Sequence, residues 1–119
     1  MKNIFVYGTL KHSGRNHHHL VGQKFLGVAH TALGCTLYQL TGYPGMVADP
    51  ADTFGVIGEL WSVDDACLAL LDKLEGLAEG LYHRTSVKLL PPFDAQSVET
   101  YFYARSVEGR IKLGEVWKH

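Results

Sequence analysis

The sequence predicts an α+β fold in which one helix packs on a curled or closed sheet. Short runs rich in β-branched and aromatic residues recur along the 119 residues, separated by glycines and prolines. A single segment carries the 3.6-residue apolar spacing of an amphipathic helix. Glycines also fall inside two of the strand-like runs, at Gly27 and Gly58, as in the bulges or tight bends of a strongly curved sheet. Many short strands with one clear helix suggest an α+β domain with a curled or closed sheet.

The first strand is expected over residues 2–7 (Lys-Asn-Ile-Phe-Val-Tyr). Gly8-Thr9-Leu10 follows at once, then a polar stretch from Lys11 to His19. Further strands are expected over 24–29 and 34–40, separated by His30 to Leu33. Tyr43-Pro44-Gly45 reads as a turn. The run Gly55 to Trp61 is a strand that leads into the helix. Residues 82–89 alternate apolar and polar side chains until Pro91-Pro92 stops them, and 98–104 form the last strand. No repeat, low-complexity tract or linker interrupts the chain, so a single domain spanning 1–119 is expected.

The helix is expected between Ser62 and Gly76, where Cys67, Leu70, Leu71 and Leu74 follow the i, i+3, i+4, i+7 spacing of one buried stripe. At about 100° per residue, Glu75 falls between Leu68 and Leu71 on that stripe and not on the solvated face with Lys73. Gly76 suits the residue that ends the helix, which puts a carboxylate in the last turn, where the helix dipole disfavours it. Burial and dipole both raise a carboxyl pKa and prepare it to move protons near neutral pH. The plain alternative is that Glu75 snorkels to solvent past the helix end.

Composition excludes several classes. With 46% hydrophobic and 19% charged residues the chain can bury a proper core. A formal charge of −1 offers no basic excess for a nucleic-acid backbone or an anionic membrane. No apolar run reaches the length of a membrane span, and Met1 to Gly8 lack a signal-peptide layout. Cys35 and Cys67 stand far apart in no paired motif, which suits reduced thiols and a cytoplasmic location.

Tyr7-Gly8-Thr9-Leu10 is the second candidate for chemistry. A glycine directly after a strand lets backbone amides turn outward toward an anionic carboxylate or a transition-state oxyanion, although such turns are often only structural. His17-His18-His19, with His12 nearby, cannot all face one metal from a regular element, so no metal site is expected there. Arg15, Tyr43, Tyr101 and Tyr103 are polar-tipped groups able to enter the pocket; the plain alternative for the three tyrosines is a core aromatic with a wet hydroxyl. Glu59, in mid-strand, faces either way.

Tyr7-Gly8-Thr9-Leu10 and Leu71-Asp72-Lys73-Leu74-Glu75-Gly76, with Tyr82 seven residues after the glutamate, are far more specific together than apart. They resemble the γ-glutamylcyclotransferase-like family, which includes γ-glutamylamine cyclotransferases and the plant avirulence-induced-gene proteins with their small bacterial relatives. The resemblance runs from Phe5-Val6-Tyr7-Gly8-Thr9-Leu10-Lys11 through Gly58-Glu59-Leu60-Trp61 to Tyr82-His83-Arg84-Thr85 and Tyr101-Phe102-Tyr103. It is strongest to the γ-glutamylamine and bacterial branch. It implies a small mixed β-barrel with flanking helices and a cavity at one end. Tyr7, Gly8, Thr9 and Leu10 would bind the γ-glutamyl moiety through the backbone, Glu75 would be the acid/base, and Tyr82 would line the same pocket. The implied reaction cyclises a γ-glutamyl amine or amino acid to 5-oxoproline with no cofactor and no metal. The partner is then a small molecule, with no nucleic acid and no membrane, and the oligomeric state stays open. A binding module using the same pocket without turnover is the competing class; a protein-interaction domain is a third.

Overall fold

A computed structural model describes residues 1–53 and 55–118. In chain order the elements are β1 (Lys2–Val6), a 3-10 turn (His17–Leu20), β2 (Lys24–His30), β3 (Cys35–Gln39), β4 (Pro44–Ala48), β5 (Ile57–Val63), α1 (Asp65–Leu74), β6 (Tyr82–Ser86), β7 (Glu99–Tyr103) and β8 (Ile111–Lys112). The α+β content follows the expectation.

β1 is central because both of its faces are apolar: Ile4, Phe5 and Val6 are all buried. It pairs antiparallel with β5 and parallel with β7, within a five-stranded sheet of order β2-β5-β1-β7-β6. Phe5 packs on one side with Leu37, Met46, Leu60 and Phe102. Ile4 and Val6 pack on the other with Leu10, Trp61, Leu71, Tyr82 and Tyr101. β4, β3 and β8 form a second, three-stranded sheet. It lies so close to β7 that a Cβ on Gly45 would stand 2.9 Å from Tyr103 Cβ.

Strand pairing among the described residues makes two open sheets and not the closed ring of a barrel. The five-stranded sheet curls far enough that Thr31, just past β2, bridges Leu89, beyond β6. Gly27 does lie at a bulge, where the β2–β5 register shifts between Phe25 and Gly27. Gly58 does not; it stays in register with Ala29, and a Cβ there would fall 2.3 Å from the Val6 carbonyl oxygen.

Other local expectations need correction. Tyr43-Pro44-Gly45 is not a turn, because Pro44 and Gly45 open β4 opposite Gln39 and Tyr38. The reversal comes earlier, at Thr41-Gly42, where Leu40 N donates to Tyr43 O at 2.8 Å and Gly42 has φ +80°. Proline is tolerated because it is the first residue of the strand. The helix begins after Asp64, not at Ser62, since β5 runs on to Val63 and the Asp64 side chain caps Cys67 N at 2.7 Å. Its buried stripe is also narrower than expected: Cys67 and Leu71 are buried, but Leu70 and Leu74 are 57% and 39% exposed. The covered line runs i, i+4, i+8, from Cys67 through Leu71 toward Glu75. Among the described residues, no helix is long and apolar enough to cross a membrane.

Candidate active site

The end of β1, the turn after it, the end of α1 and the start of β6 enclose a cavity of about 230 Å³. Glu75, Tyr7, Gly8, Thr9, Leu10 and Tyr82 all line it, as do Arg15, Tyr43 and Tyr101. Tyr103 does not; its ring packs against Tyr82, 5.4 Å between centroids.

Glu75 reaches the cavity through the way α1 ends. Gly76 takes the left-handed conformation with φ +66°. Gly76 N donates to Lys73 O at 3.1 Å and Leu77 N to Asp72 O at 3.2 Å, the paired bonds of a Schellman stop. Glu75 is therefore the capping residue itself, with its amide still bonded to Leu71 O at 2.9 Å. The last turn is pinned from outside by Asp72, three positions earlier. Its carboxylate receives the Arg84 fork at 2.9 and 3.0 Å and the Tyr101 hydroxyl at 2.7 Å. Arg84 also donates to Glu99, so α1, β6 and β7 share one charged knot.

Burial raises the Glu75 pKa to about 7. No Lys, Arg or His among the described residues is within ion-pair distance of it, so nothing offsets the desolvation. The carboxyl pKa is thereby brought up from the ordinary carboxylate range toward neutral pH. Of the two forces expected from sequence, burial does the work.

Facing Glu75 is the turn after β1. Lys11 N donates to Gly8 O at 3.1 Å, whereas the amides of Gly8, Thr9 and Leu10 find no acceptor among the described residues. Three consecutive unspent amides in a cavity wall suit a negatively charged group. Asn16 holds the turn by donating from N to Thr9 O and from Nδ2 to Thr9 Oγ1, both at 3.0 Å. Gly8 has no positive φ; its missing Cβ makes room for Pro44, whose ring carbons would lie 2.7 and 2.9 Å away. Close approach between protein segments is thus a second reason for that glycine.

The tyrosines differ from expectation in what their hydroxyls do. Tyr7 Oη donates to Tyr101 O at 2.6 Å and accepts from Met46 N at 3.0 Å. Tyr82 Oη donates to Pro44 O at 2.6 Å. Burial pushes both phenols up, and the Glu75 charge pushes in the same direction, so both stay protonated. With their protons committed to backbone carbonyls, these two rings shape the wall and fasten β4 to it.

Glu59 is kept apart. It is 9% exposed and accepts from His12 N at 3.0 and 3.1 Å and from Trp61 Nε1 at 3.2 Å. It anchors the far end of the loop that begins with the Tyr7–Leu10 turn. His17, His18 and His19 form the 3-10 turn, with His17 Nδ1 3.0 Å from Leu10 O, and no metal-holding group of three ligands occurs among the described residues. Sequence reasoning missed Asn16, Pro44 and Leu81 in the cavity wall. A local signal for Asn16 is absent, because its task depends on a loop closing back to Thr9.

Comparison with known proteins places this architecture. The family model described as gamma-glutamyl cyclotransferase, AIG2-like, matches residues 4–119. The gamma-glutamylcyclotransferase family protein YtfP of Escherichia coli K12 is 37% identical, over 94% of this chain and 90% of its own. Gamma-glutamylaminecyclotransferase A of Danio rerio is 34% identical, over 87% and 69% of the two chains. Among solved structures, an AIG2-like protein from Mus musculus superposes with a TM-score of 0.79 at 27% identity, covering 91% of this chain and 80% of that one. With a family match over nearly the whole chain and relatives more than 30% identical over most of their length, the chain belongs to the γ-glutamyl cyclotransferase, AIG2-like family.

Proposed function

We propose that this enzyme closes a γ-glutamyl amine or γ-glutamyl amino acid into 5-oxoproline and releases the free amine. The observation that carries the proposal is a desolvated carboxylate, with its pKa near 7 and no cation within ion-pair distance, sharing a small cavity with unspent backbone amides. The substrate α-ammonium must lose a proton before its nitrogen can attack. Glu75 takes that proton as general base. The nitrogen then adds to the γ-carbonyl carbon, the five-membered ring closes, and a tetrahedral oxyanion forms. Glu75 gives the first proton to the leaving nitrogen, and collapse of the oxyanion breaks the bond to that nitrogen. Glu75 then takes the second proton from the ring nitrogen and passes it to the released amine, which departs as an ammonium. No electrons are exchanged with any other group. Amides of Gly8, Thr9 and Leu10 hold the substrate α-carboxylate or the oxyanion. Tyr7, Tyr82 and Tyr101 wall the folded glutamyl chain into a near-attack shape, a contribution that reaches about 7 kcal/mol or more in well-oriented systems. Cys35 and Cys67, both buried free thiols, support a cytoplasmic setting.

A binding module with the same pocket is the competing possibility. It gains nothing from a carboxylate held unpaired against its own solvation, which favours catalysis. Release of 5-oxoproline from γ-glutamyl amines and amino acids is the direct test, and a protein that binds these compounds without releasing it is a binding module.

The pH dependence follows from the raised pKa. A base must be ionised in the free enzyme, so kcat/KM is expected to rise about tenfold per pH unit on the acid side and to level off above about pH 7. A pH profile that levels off near the ordinary carboxylate value of 4.5 would show that Glu75 is solvated in the working enzyme.

A further inference from the structure

We infer that Arg15 reads a carboxylate on the leaving group, so that this enzyme's substrates are γ-glutamyl amino acids or peptides and not neutral γ-glutamyl amines. The inference rests on the cyclisation proposed above and names the substrate class of the same cavity.

Besides Glu75, Arg15 is the one charged residue in the cavity wall among the described residues. It differs from Glu75 in place and in company. Arg15 is exposed where Glu75 is only partly so, so it marks the mouth. No described carboxylate lies within ion-pair distance of its guanidinium. One nitrogen, Nη1, donates to Gly42 O at 2.7 Å. That bond joins the loop after β1 to the β3–β4 reversal and fixes the direction of the side chain. A Cβ on Gly42 would stand 3.9 Å from Arg15 Nη2, so the fork lies close against that reversal. The remaining N–H groups form a positioned, uncompensated anion receptor at the rim.

Two anion receptors therefore border one cavity: the amide turn beside Tyr7 and the guanidinium at the mouth. A γ-glutamyl amino acid carries two carboxylates. Its α-carboxylate shares a carbon with the α-amine and must lie wherever Glu75 can take the ammonium proton. That end is buried. The leaving group stays outside the closing ring and extends toward solvent, where Arg15 stands. A neutral amine in that place would leave the guanidinium with the Gly42 carbonyl and no anionic partner.

A matched pair of substrates tests the assignment. γ-Glutamylalanine and γ-glutamylethylamide differ only by the carboxylate on the leaving group, and both keep the α-carboxylate. The wild-type protein is expected to favour γ-glutamylalanine by at least tenfold in kcat/KM. Arg15→Gln should bring that ratio close to one, mainly by raising KM for γ-glutamylalanine, and Arg15→Lys should restore part of it. A wild-type ratio near one, or an Arg15→Gln variant that loses both substrates in equal proportion, overturns the assignment and leaves the cyclisation intact. Release of 5-oxoproline from neither substrate by the wild-type protein overturns the cyclisation, and this inference with it.

Discussion

Glu75→Gln is expected to remove turnover and, above neutral pH, to stabilise the fold. Gln keeps the shape and the Schellman stop but cannot take a proton from the substrate ammonium. Loss of a positioned general base lowers the rate by roughly 10²–10⁴-fold. The stability effect has the opposite sign. Folding raises this carboxyl from 4.5 to about 7, so the folded state is disfavoured where Glu75 must ionise. Its neutral form is fully compatible with folding below about 4.5, and that advantage is lost as pH rises through about 7. Discounted for partial contact with solvent, the wild-type protein at pH 8 carries a penalty of about 1–3 kcal/mol that Gln does not. Urea unfolding at pH 5 and pH 8, alongside the 5-oxoproline assay, separates the two effects. Turnover within a few-fold of wild type would remove Glu75 from the proton pathway. Identical unfolding midpoints for variant and wild type at pH 8 would show that the carboxylate is not desolvated.

Gly14→Ala is expected to disable ligand binding more than any other single-methyl change in the loop. A Cβ at Gly14 would fall 2.1 Å from Thr9 O, 2.6 Å from Thr9 C and 2.9 Å from Lys11 O. All three are backbone atoms, so no rotamer change relieves the overlap. The turn that carries the unspent amides must move, and Asn16 loses its grip on Thr9. Forced overpacking of this kind typically costs about 1–3 kcal/mol of stability, and displacing the amides should weaken a γ-glutamyl ligand at least tenfold. Gly114→Ala is the control, since open space surrounds it. Calorimetry with a γ-glutamyl ligand on both variants decides it. If Gly14→Ala binds as Gly114→Ala does, the turn is not the rigid receptor described here.

Both of these residues show how unevenly the sequence discloses the site. Glu75 was legible because helical periodicity is local: its position relative to Leu68 and Leu71 follows from ten consecutive residues. The Tyr7–Leu10 turn was legible because a strand, a glycine and a short polar run sit side by side. The exposure of Leu70 and Leu74 was not, because periodicity gives the direction of a stripe but not the width of the surface that will cover it. Pro44 was misread for the same kind of reason. Its dipeptide with Gly45 is a strong turn signal, and only pairing with β3 and the Tyr82 hydroxyl, 38 positions away, makes it a strand. Tyr7 meets the Tyr101 carbonyl across 94 positions, beyond any local pattern. Gly14 has no local signal, since its reason lies in the Thr9 and Lys11 backbone atoms opposite it.

The hydroxyls of Tyr7 and Tyr82 grip Met46 N and Pro44 O, which belong to the smaller sheet, while the rings themselves belong to the larger one. The cavity therefore straddles a seam between two independently paired sheets. A ligand seated there bonds to the folded seam and to nothing in an opened one, so it must raise the free energy of prising the sheets apart. The Met46 amide, held by a tyrosine oxygen and not by a ladder partner, becomes a built-in gauge of that opening. Its hydrogen exchange should slow when a γ-glutamyl ligand binds, in proportion to occupancy. Exchange at Met46 that ignores a saturating ligand would mean the seam opens without disturbing the cavity.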